Sequence, residues 1–143
     1  MTVPSLNRAW PLAQLPGLSS TDCQKLEALG VETTWDLLQR TRRPGKQIDL
    51  AAQLHLSERW VRKWVALAEL SHVPSVGCQY CGLLLHAGVT SVEQLAAMTT
   101  HTLHRQILRL QVTATQNRAL CPHPGMVAQW IQEAQQYRRS QPQ

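Results

Sequence analysis

An internal repeat constrains the fold of this chain more than any other feature of its sequence. Residues 73–89, VPSVGCQYCGLLLHAGV, align with residues 15–31, LPGLSSTDCQKLEALGV, at a shift of 58 positions. The alignment places Pro74 on Pro16, Cys81 on Cys23, Leu84 on Leu26 and Gly88 on Gly30. We therefore expect two copies of one local structure to frame the fold.

Each copy predicts a turn, a short helix, a stop and a second helix. The turn contains Gly and Pro, and the helix after it spans about ten residues. Gly30 and Gly88 occupy the position where a left-handed glycine ends a helix. The second helix starts with TTWD at residues 33–36 and SVEQ at residues 91–94. These are capping-box patterns, and the first is the weaker because it ends in Asp rather than Glu or Gln.

This arrangement resembles the helix-hairpin-helix motif, in which a Gly-hydrophobic-Gly hairpin joins two short helices. In that family the backbone N–H groups of the hairpin can bind a nucleic-acid phosphate. The first copy keeps Gly17 but has Ser19 at the second glycine position, whereas the second has Ser75 at the first position and keeps Gly77. Both hairpins are therefore open to two interpretations, phosphate contact or packing alone. Asp22 follows the first hairpin closely and would repel a phosphate.

The segment between the copies predicts two further helices, at residues 47–54 and at about residues 58–70. Residues 49–64 resemble a helix-turn-helix, although His55 stands where that family usually has glycine. Five residues recur at helical spacing and predict a buried stripe on the second of these helices: Trp60, Val61, Trp64, Val65 and Ala68. Large buried tryptophans suit packing better than the reading of bases in a DNA groove.

Charge is concentrated in this same segment. The chain has a formal net charge of +5, and residues 40–63 alone hold seven bases and two acids, which also sum to +5. Such a span can attract polyanions, and the alternative interpretation is a solvated basic face that contacts no partner. The predicted contacts to a nucleic-acid backbone are the N–H groups around Gly17 and Gly77 and the side chains of Arg40, Arg42, Arg43, Lys46, Arg59, Arg62 and Lys63.

Two functions of different classes are compatible with these patterns. The first is a non-enzymatic protein that binds the backbone of DNA or RNA with weak or no sequence specificity. The second is an adaptor that offers a rigid tandem-hairpin surface to a protein partner. The sequence contains no Gly-rich phosphate loop, nucleophile elbow or spaced set of carboxylates, so we expect neither catalytic residues nor a cofactor.

Cysteine and histidine spacing gives little support for a metal site. Cys78 and Cys81 form a C-x-x-C pair, and Cys121 with His123 could supply further ligands. The spacing matches no zinc-finger pattern, and no βαβ pattern surrounds the pair as a redox motif would require. We therefore expect reduced thiols. His101 and His104 are three residues apart on a predicted helix and are expected to be isolated, exposed side chains.

The 143 residues are expected to form one helical domain over residues 15–139. It comprises the first repeat (15–40), a basic linker with a helix pair (40–71), the second repeat (73–98) and C-terminal helices (100–139). Residues 1–14 form a lead-in and residues 140–143 a loose tail. There is no apolar run that could span a membrane and no signal peptide, so the expected location is the cytoplasm.

Four segments resemble a bacterial family of domains of unknown function that is built from two helix-hairpin-helix units. They are WVALAEL at residues 64–70, AGV at residues 87–89, the predicted helix at residues 103–110 and WIQEA at residues 130–134. The resemblance implies a compact all-α fold in which a helix-turn-helix-like segment joins the two hairpin units. It implies no catalytic residues.

Overall fold

The computed structural model describes residues 9–114 and 122–140, without the side chains of residues 111–114 and 138–140. The described residues form α-helices and their connections, with no strand among them, so the predicted all-α fold is confirmed. The helices are α1 (Ser20–Ala28), α2 (Thr34–Arg40), α3 (Lys46–Leu54), α4 (Glu58–Ser71), α5 (Gly77–His86), α6 (Val92–Ala97), α7 (Thr100–Ala114) and α8 (Pro124–Ser140).

Helices α4 and α8 carry the centre of the core. Helix α4 packs against α2, α3 and α5, whereas α8 packs against α6 and α7. Trp64 of α4 and Trp130 of α8 are fully buried, and both belong to one continuous apolar cluster that runs from Leu12 to Tyr137. Each large indole removes more apolar surface from water than any aliphatic side chain, so these two helices anchor their neighbours.

One member of the predicted buried stripe lies outside the core. Val61, Trp64 and Ala68 are buried and Val65 is half-buried, but Trp60 keeps 45% of its surface exposed. Successive residues of an α-helix are rotated by about 100°, so Trp60 lies on the flank of the face that Val61 centres. The prediction that Trp60 belongs to the core is therefore wrong.

The predicted helix stops at Gly30 and Gly88 are confirmed. Both residues are left-handed, with φ of 85° and 100°. After each glycine a valine N–H donates back to a leucine carbonyl of the helix, from Val31 to Leu26 and from Val89 to Leu84, at 2.9 Å in both copies. This pattern is the Schellman motif, and the buried side chains of the same pairs accompany it.

The structure reverses the predicted order of the two capping boxes, because the first is the complete one. In the first copy Thr33 accepts the N–H of Asp36, and Asp36 accepts the N–H of Thr33 in return, so the box is complete. In the second copy Ser91 accepts the N–H of Gln94, but the Gln94 side chain accepts the N–H of Thr90 instead. Asp36 Oδ2 also accepts the N–H of Glu32 at 3.1 Å, so it serves both positions, whereas Gln94 Oε1 accepts, among the described residues, only from Thr90.

The lead-in is attached to the body of the domain. Leu12 and Leu15 are buried, and the Leu12 N–H donates to the carbonyl of Glu32 at 3.1 Å. Residues 1–8 of the lead-in and residues 141–143 of the predicted tail lie outside the described residues. Within the described part of the chain, no helix combines the length and the apolar composition needed to cross a bilayer.

A buried polar network ties the lead-in to α2 and α4. The Trp10 N–H donates to Thr34 Oγ1 at 3.0 Å, and this hydroxyl lies 2.8 Å from Nε2 of His72. The Trp10 indole N–H donates to the Ser71 carbonyl at 3.0 Å, and the Trp35 ring stacks on His72. His72 Nδ1 has no partner among the described residues. Burial lowers the pKa of His72 from 6.5 to about 4.

We expect this network to make folding sensitive to acid. The pKa of His72 is lower in the folded chain than in the unfolded one, so the unfolded chain binds the proton more readily. The contribution of His72 to stability is therefore complete above pH 6.5 and is lost as the pH falls towards 4. Between pH 7 and pH 5 the free energy of unfolding should fall by about 2 kcal/mol more in the wild type than in His72→Gln, measured by urea denaturation.

His86→Gln is the matched control, because His86 is exposed on α5 and its replacement should leave the pH dependence unchanged. An equal dependence in the wild type and in His72→Gln would contradict the assignment to His72.

Candidate nucleic-acid interface

A basic cleft opens at the connection between α2 and α3. Its volume is about 390 Å³, and its lining residues are Gln39, Arg40, Arg42, Arg43 and Lys46. Four of these five carry positive charge, and none of the described residues that line the cleft is acidic. Helix α2 ends at Arg40 and α3 begins at Lys46, with a left-handed Gly45 between them. This short reversal of the chain brings bases from both helix ends to one opening.

Arg40 is held in place by two hydrogen bonds. Its Nη1 donates to the Leu29 carbonyl at 2.8 Å and its Nη2 donates to Gln53 Oε1 at 3.2 Å. The first bond satisfies a carbonyl at the end of α1, where a cation is also favoured by the helix dipole. The side chain stays exposed, and a guanidinium has five N–H donors, so Arg40 keeps donors for a ligand in the cleft.

The basic surface continues from the cleft onto α4. Arg42 and Arg43 also line an adjoining cleft of about 310 Å³, which reaches Glu58 at the start of α4. Glu58 forms an ion pair with Arg62 at 3.2 Å. Arg59 is exposed and lies one helical turn from Arg62, on the same side of α4. Exposed ion pairs of this kind are weak, so Arg62 can exchange Glu58 for another anion.

The first repeat turn (residues 16–19) meets the basic surface through Lys63. Gly17 has φ of 79°, and a Cβ on Gly17 would lie 3.5 Å from Lys63 Nζ. In the described part of the chain, the N–H groups of Gly17 and Leu18 have no hydrogen-bond acceptor. The structure thus brings together two predicted contact residues from different segments of the sequence, Gly17 and Lys63.

The second repeat turn (residues 74–77) is closed. Gly77 is buried, its N–H donates to the Val73 carbonyl at 3.1 Å, and a Cβ on Gly77 would lie 3.2 Å from the indole of Trp10. The Gly77 N–H is therefore already paired within the turn, and the glycine packs against Trp10. The phosphate contact predicted near Gly77 stays a prediction.

A carboxylate of the chain itself occupies the second turn. Glu133 of α8 accepts the Ser75 N–H at 2.7 Å and the Ser75 hydroxyl at 2.6 Å. Hydrogen bonds of this length to a carboxylate are strong because the acceptor is charged. In the repeat alignment Ser75 corresponds to Gly17, so the equivalent N–H group holds an oxyanion in one copy and is open in the other. Sequence reasoning missed Glu133, since only the tertiary fold places α8 on this turn.

The cysteine pair is unsuited to reactive chemistry. Burial raises the pKa of Cys78 to about 11 and that of Cys81 to about 12, so both thiols stay protonated at neutral pH. No three His, Cys, Asp or Glu side chains converge as metal ligands within residues 9–114 and 122–140. Cys121 lies outside the described residues. On α7 His101 is exposed, as predicted, whereas His104 is half-buried.

The Glu133 contact predicts a change in stability. Glu133→Ala should lower the free energy of unfolding by about 2 kcal/mol, because it leaves the Ser75 N–H and hydroxyl without their acceptor in a half-buried site. Urea denaturation at neutral pH measures the change. Glu27→Ala is the control, since Glu27 is exposed on α1 and its replacement should cost less than about 0.5 kcal/mol. Equal stability of the two variants would contradict the role of Glu133.

Comparison with known proteins gives one family match. The family model of a domain of unknown function (DUF4332) matches residues 16–137. Neither the curated proteins nor the solved structures contain a match to this chain. The family match covers both repeats, the basic clefts and α4, so every feature of the candidate interface lies within it.

Proposed function

We propose that this protein, which belongs to the DUF4332 family, is a non-enzymatic protein that binds the phosphate backbone of DNA or RNA with weak or no sequence specificity. In this proposal each repeat is a helix-hairpin-helix unit. The observation that carries it is the cleft between α2 and α3, where four bases converge without an acid among the described lining residues.

Convergence distinguishes this cleft from an ordinary solvated surface. Lysines and arginines on such a surface alternate with acids and point away from one another. Lys46 Nζ lies 4.0 Å from Asp49 Oδ2, whereas the three arginines have no ion pair with a described acid, so a phosphate that enters the opening meets largely uncompensated positive charge. Arginine also matches phosphate geometry with two parallel N–H bonds, and Arg40 is already oriented by its bonds to Leu29 and Gln53. A nucleic acid that replaces condensed cations by these side chains gains the entropy of counterion release.

The first repeat turn supplies a second anchor for the backbone. The Gly17 N–H has no acceptor among the described residues, and the Lys63 ammonium lies 3.5 Å from the point where a Cβ of Gly17 would be, so a phosphate oxygen there would gain a hydrogen bond and opposite charge. The bond from Ser75 to Glu133 supports this assignment, because the Ser75 N–H is equivalent to that of Gly17 in the repeat alignment and donates to a carboxylate oxygen. Arg59 and Arg62 share an edge of α4 with Lys63 and would contact further phosphates of the nucleic acid.

The arrangement favours backbone contact over the reading of bases. Sequence-specific proteins place the exposed side chains of a helix or strand against base edges in a groove. Here the predicted contacts are cations at turns and on one helix edge, and the buried Trp64 holds the inner face of α4 in the core. Cations in this arrangement fix position on a nucleic acid but carry no information about its sequence.

A protein partner remains the alternative, and one observation favours it. An open, mainly apolar cleft of about 380 Å³ lies between the first repeat turn and α5. Its lining residues are Pro16, Cys78, Gln79, Gly82, Leu83, His86 and Leu110. An adaptor would use this cleft, and its binding would depend little on salt because the described lining residues include no lysine, arginine or carboxylate.

Removal of two cleft arginines tests the proposal. Arg42→Ala combined with Arg43→Ala should weaken binding to a fluorescein-labelled oligonucleotide in anisotropy titrations. The log–log dependence of affinity on salt should become shallower by about 0.9 for each phosphate that the variant no longer neutralises. The control combines Arg105→Ala with Arg109→Ala, which removes the same charge from exposed positions on α7 that line neither basic cleft.

Each outcome of this experiment has a defined meaning. Equally weakened binding in the two double variants would indicate a response to net charge alone and would overturn the assignment to the cleft. A wild type without affinity for DNA or RNA at low salt would overturn the proposed function. Capture of one stoichiometric protein partner without nucleic acid would then favour the adaptor.

A further inference from the structure

Trp60 is an exposed indole that the fold does not use for its core. It keeps 45% of its surface accessible, whereas Trp64, one turn further along α4, is fully buried. The exposed part of the ring stays in water and therefore contributes nothing to hydrophobic stabilisation. Trp35 is exposed to a similar extent, but its ring stacks on His72, which gives it a structural role. Among the described residues, the ring of Trp60 contacts the Lys63 ammonium of its own helix.

The neighbours of Trp60 place it at the edge of the first repeat turn. The Lys63 ammonium lies 5.7 Å from the centroid of the Trp60 ring. The same ammonium lies 3.5 Å from the point where a Cβ of Gly17 would be. Lys63 therefore bridges an exposed aromatic ring and a backbone turn with open N–H groups. Aromatic rings beside a positively charged track are the features by which proteins hold single-stranded nucleic acid.

We propose that the preferred ligand of this surface is single-stranded nucleic acid, with one base stacked on Trp60 and its phosphate held by Lys63 and the turn at Gly17. This inference rests on the proposed function and adds the class of nucleic acid to it. The bases of a single strand are free to leave the backbone and stack on a ring, whereas those of a duplex are already stacked inside the helix.

Electrostatics alone would give the opposite preference. A duplex carries about one charge per 1.7 Å of its length, roughly twice the density of one strand, so a purely cationic surface binds it more tightly. Preference for the single strand would therefore require the contribution of stacking. Since the ring of Trp60 accepts any base, this contribution preserves the lack of sequence specificity.

The test compares two probes and two substitutions at one position. The probes are a labelled DNA strand of about 12 nucleotides and the duplex formed with its complement, titrated at the same low salt concentration. Wild type should bind the strand more tightly than the duplex. Trp60→Leu should weaken binding to the strand by about 5-fold or more and leave binding to the duplex unchanged. Trp60→Phe keeps an aromatic ring and should retain most of the affinity for the strand.

The thermal midpoint of both variants should stay at the wild-type value, because Trp60 lies outside the core. If neither probe binds at low salt, and an RNA strand of the same sequence does not bind either, the proposed function fails and this inference fails with it. If the duplex binds as tightly as the strand, or if Trp60→Leu and Trp60→Phe bind the strand equally well, the proposed function stands and stacking on Trp60 is overturned.

Discussion

The division of α4 into a buried face and a basic edge is the constraint on which the rest of the structure depends. Its inner face, with Val61 and Trp64, packs against α2, α3 and α5, so the helix cannot rotate without the exposure of core side chains. The backbone positions of the cationic residues on the opposite edge are thereby fixed. Hydrophobic burial, which has no directional preference of its own, thus orients the charged groups of the candidate interface.

The two repeats keep the same backbone and differ in what surrounds it. Both end their first helix with a Schellman motif, because glycine at position 30 or 88 adopts the left-handed conformation without a steric cost. Around the second turn the core has closed: Trp10 covers Gly77, and Glu133 satisfies Ser75. The first turn has Lys63 as its neighbour instead of a carboxylate. The Ser75 N–H is thus paired within the fold, whereas the N–H group of Gly17 has no acceptor among the described residues.

Local patterns predicted the helices well because local interactions determine them. Glycine stops, N-caps and apolar periodicity act within a few residues, so the bounds of α3 and α4 could be read from the sequence. Tertiary features could not be read in the same way. The closure of the second turn depends on Glu133, 58 residues away, and the exposure of Trp60 depends on which flank of α4 its neighbours leave uncovered. Neither feature produces a residue spacing that can be recognised in a single sequence.

Some parts of the candidate interface could also be predicted from the sequence, whereas others could not. The bases of residues 40–46 cluster in sequence, and a short turn keeps them together in space, so their convergence followed from composition. Gly17 and Lys63 are 46 positions apart, and only the tertiary fold brings them together. The bonds from Trp10 to Thr34 and Ser71 hold the lead-in, which precedes the first repeat turn in the chain, against α2 and the end of α4. The network around His72 therefore attaches the segment that leads into this turn, although it takes no part in the proposed interface.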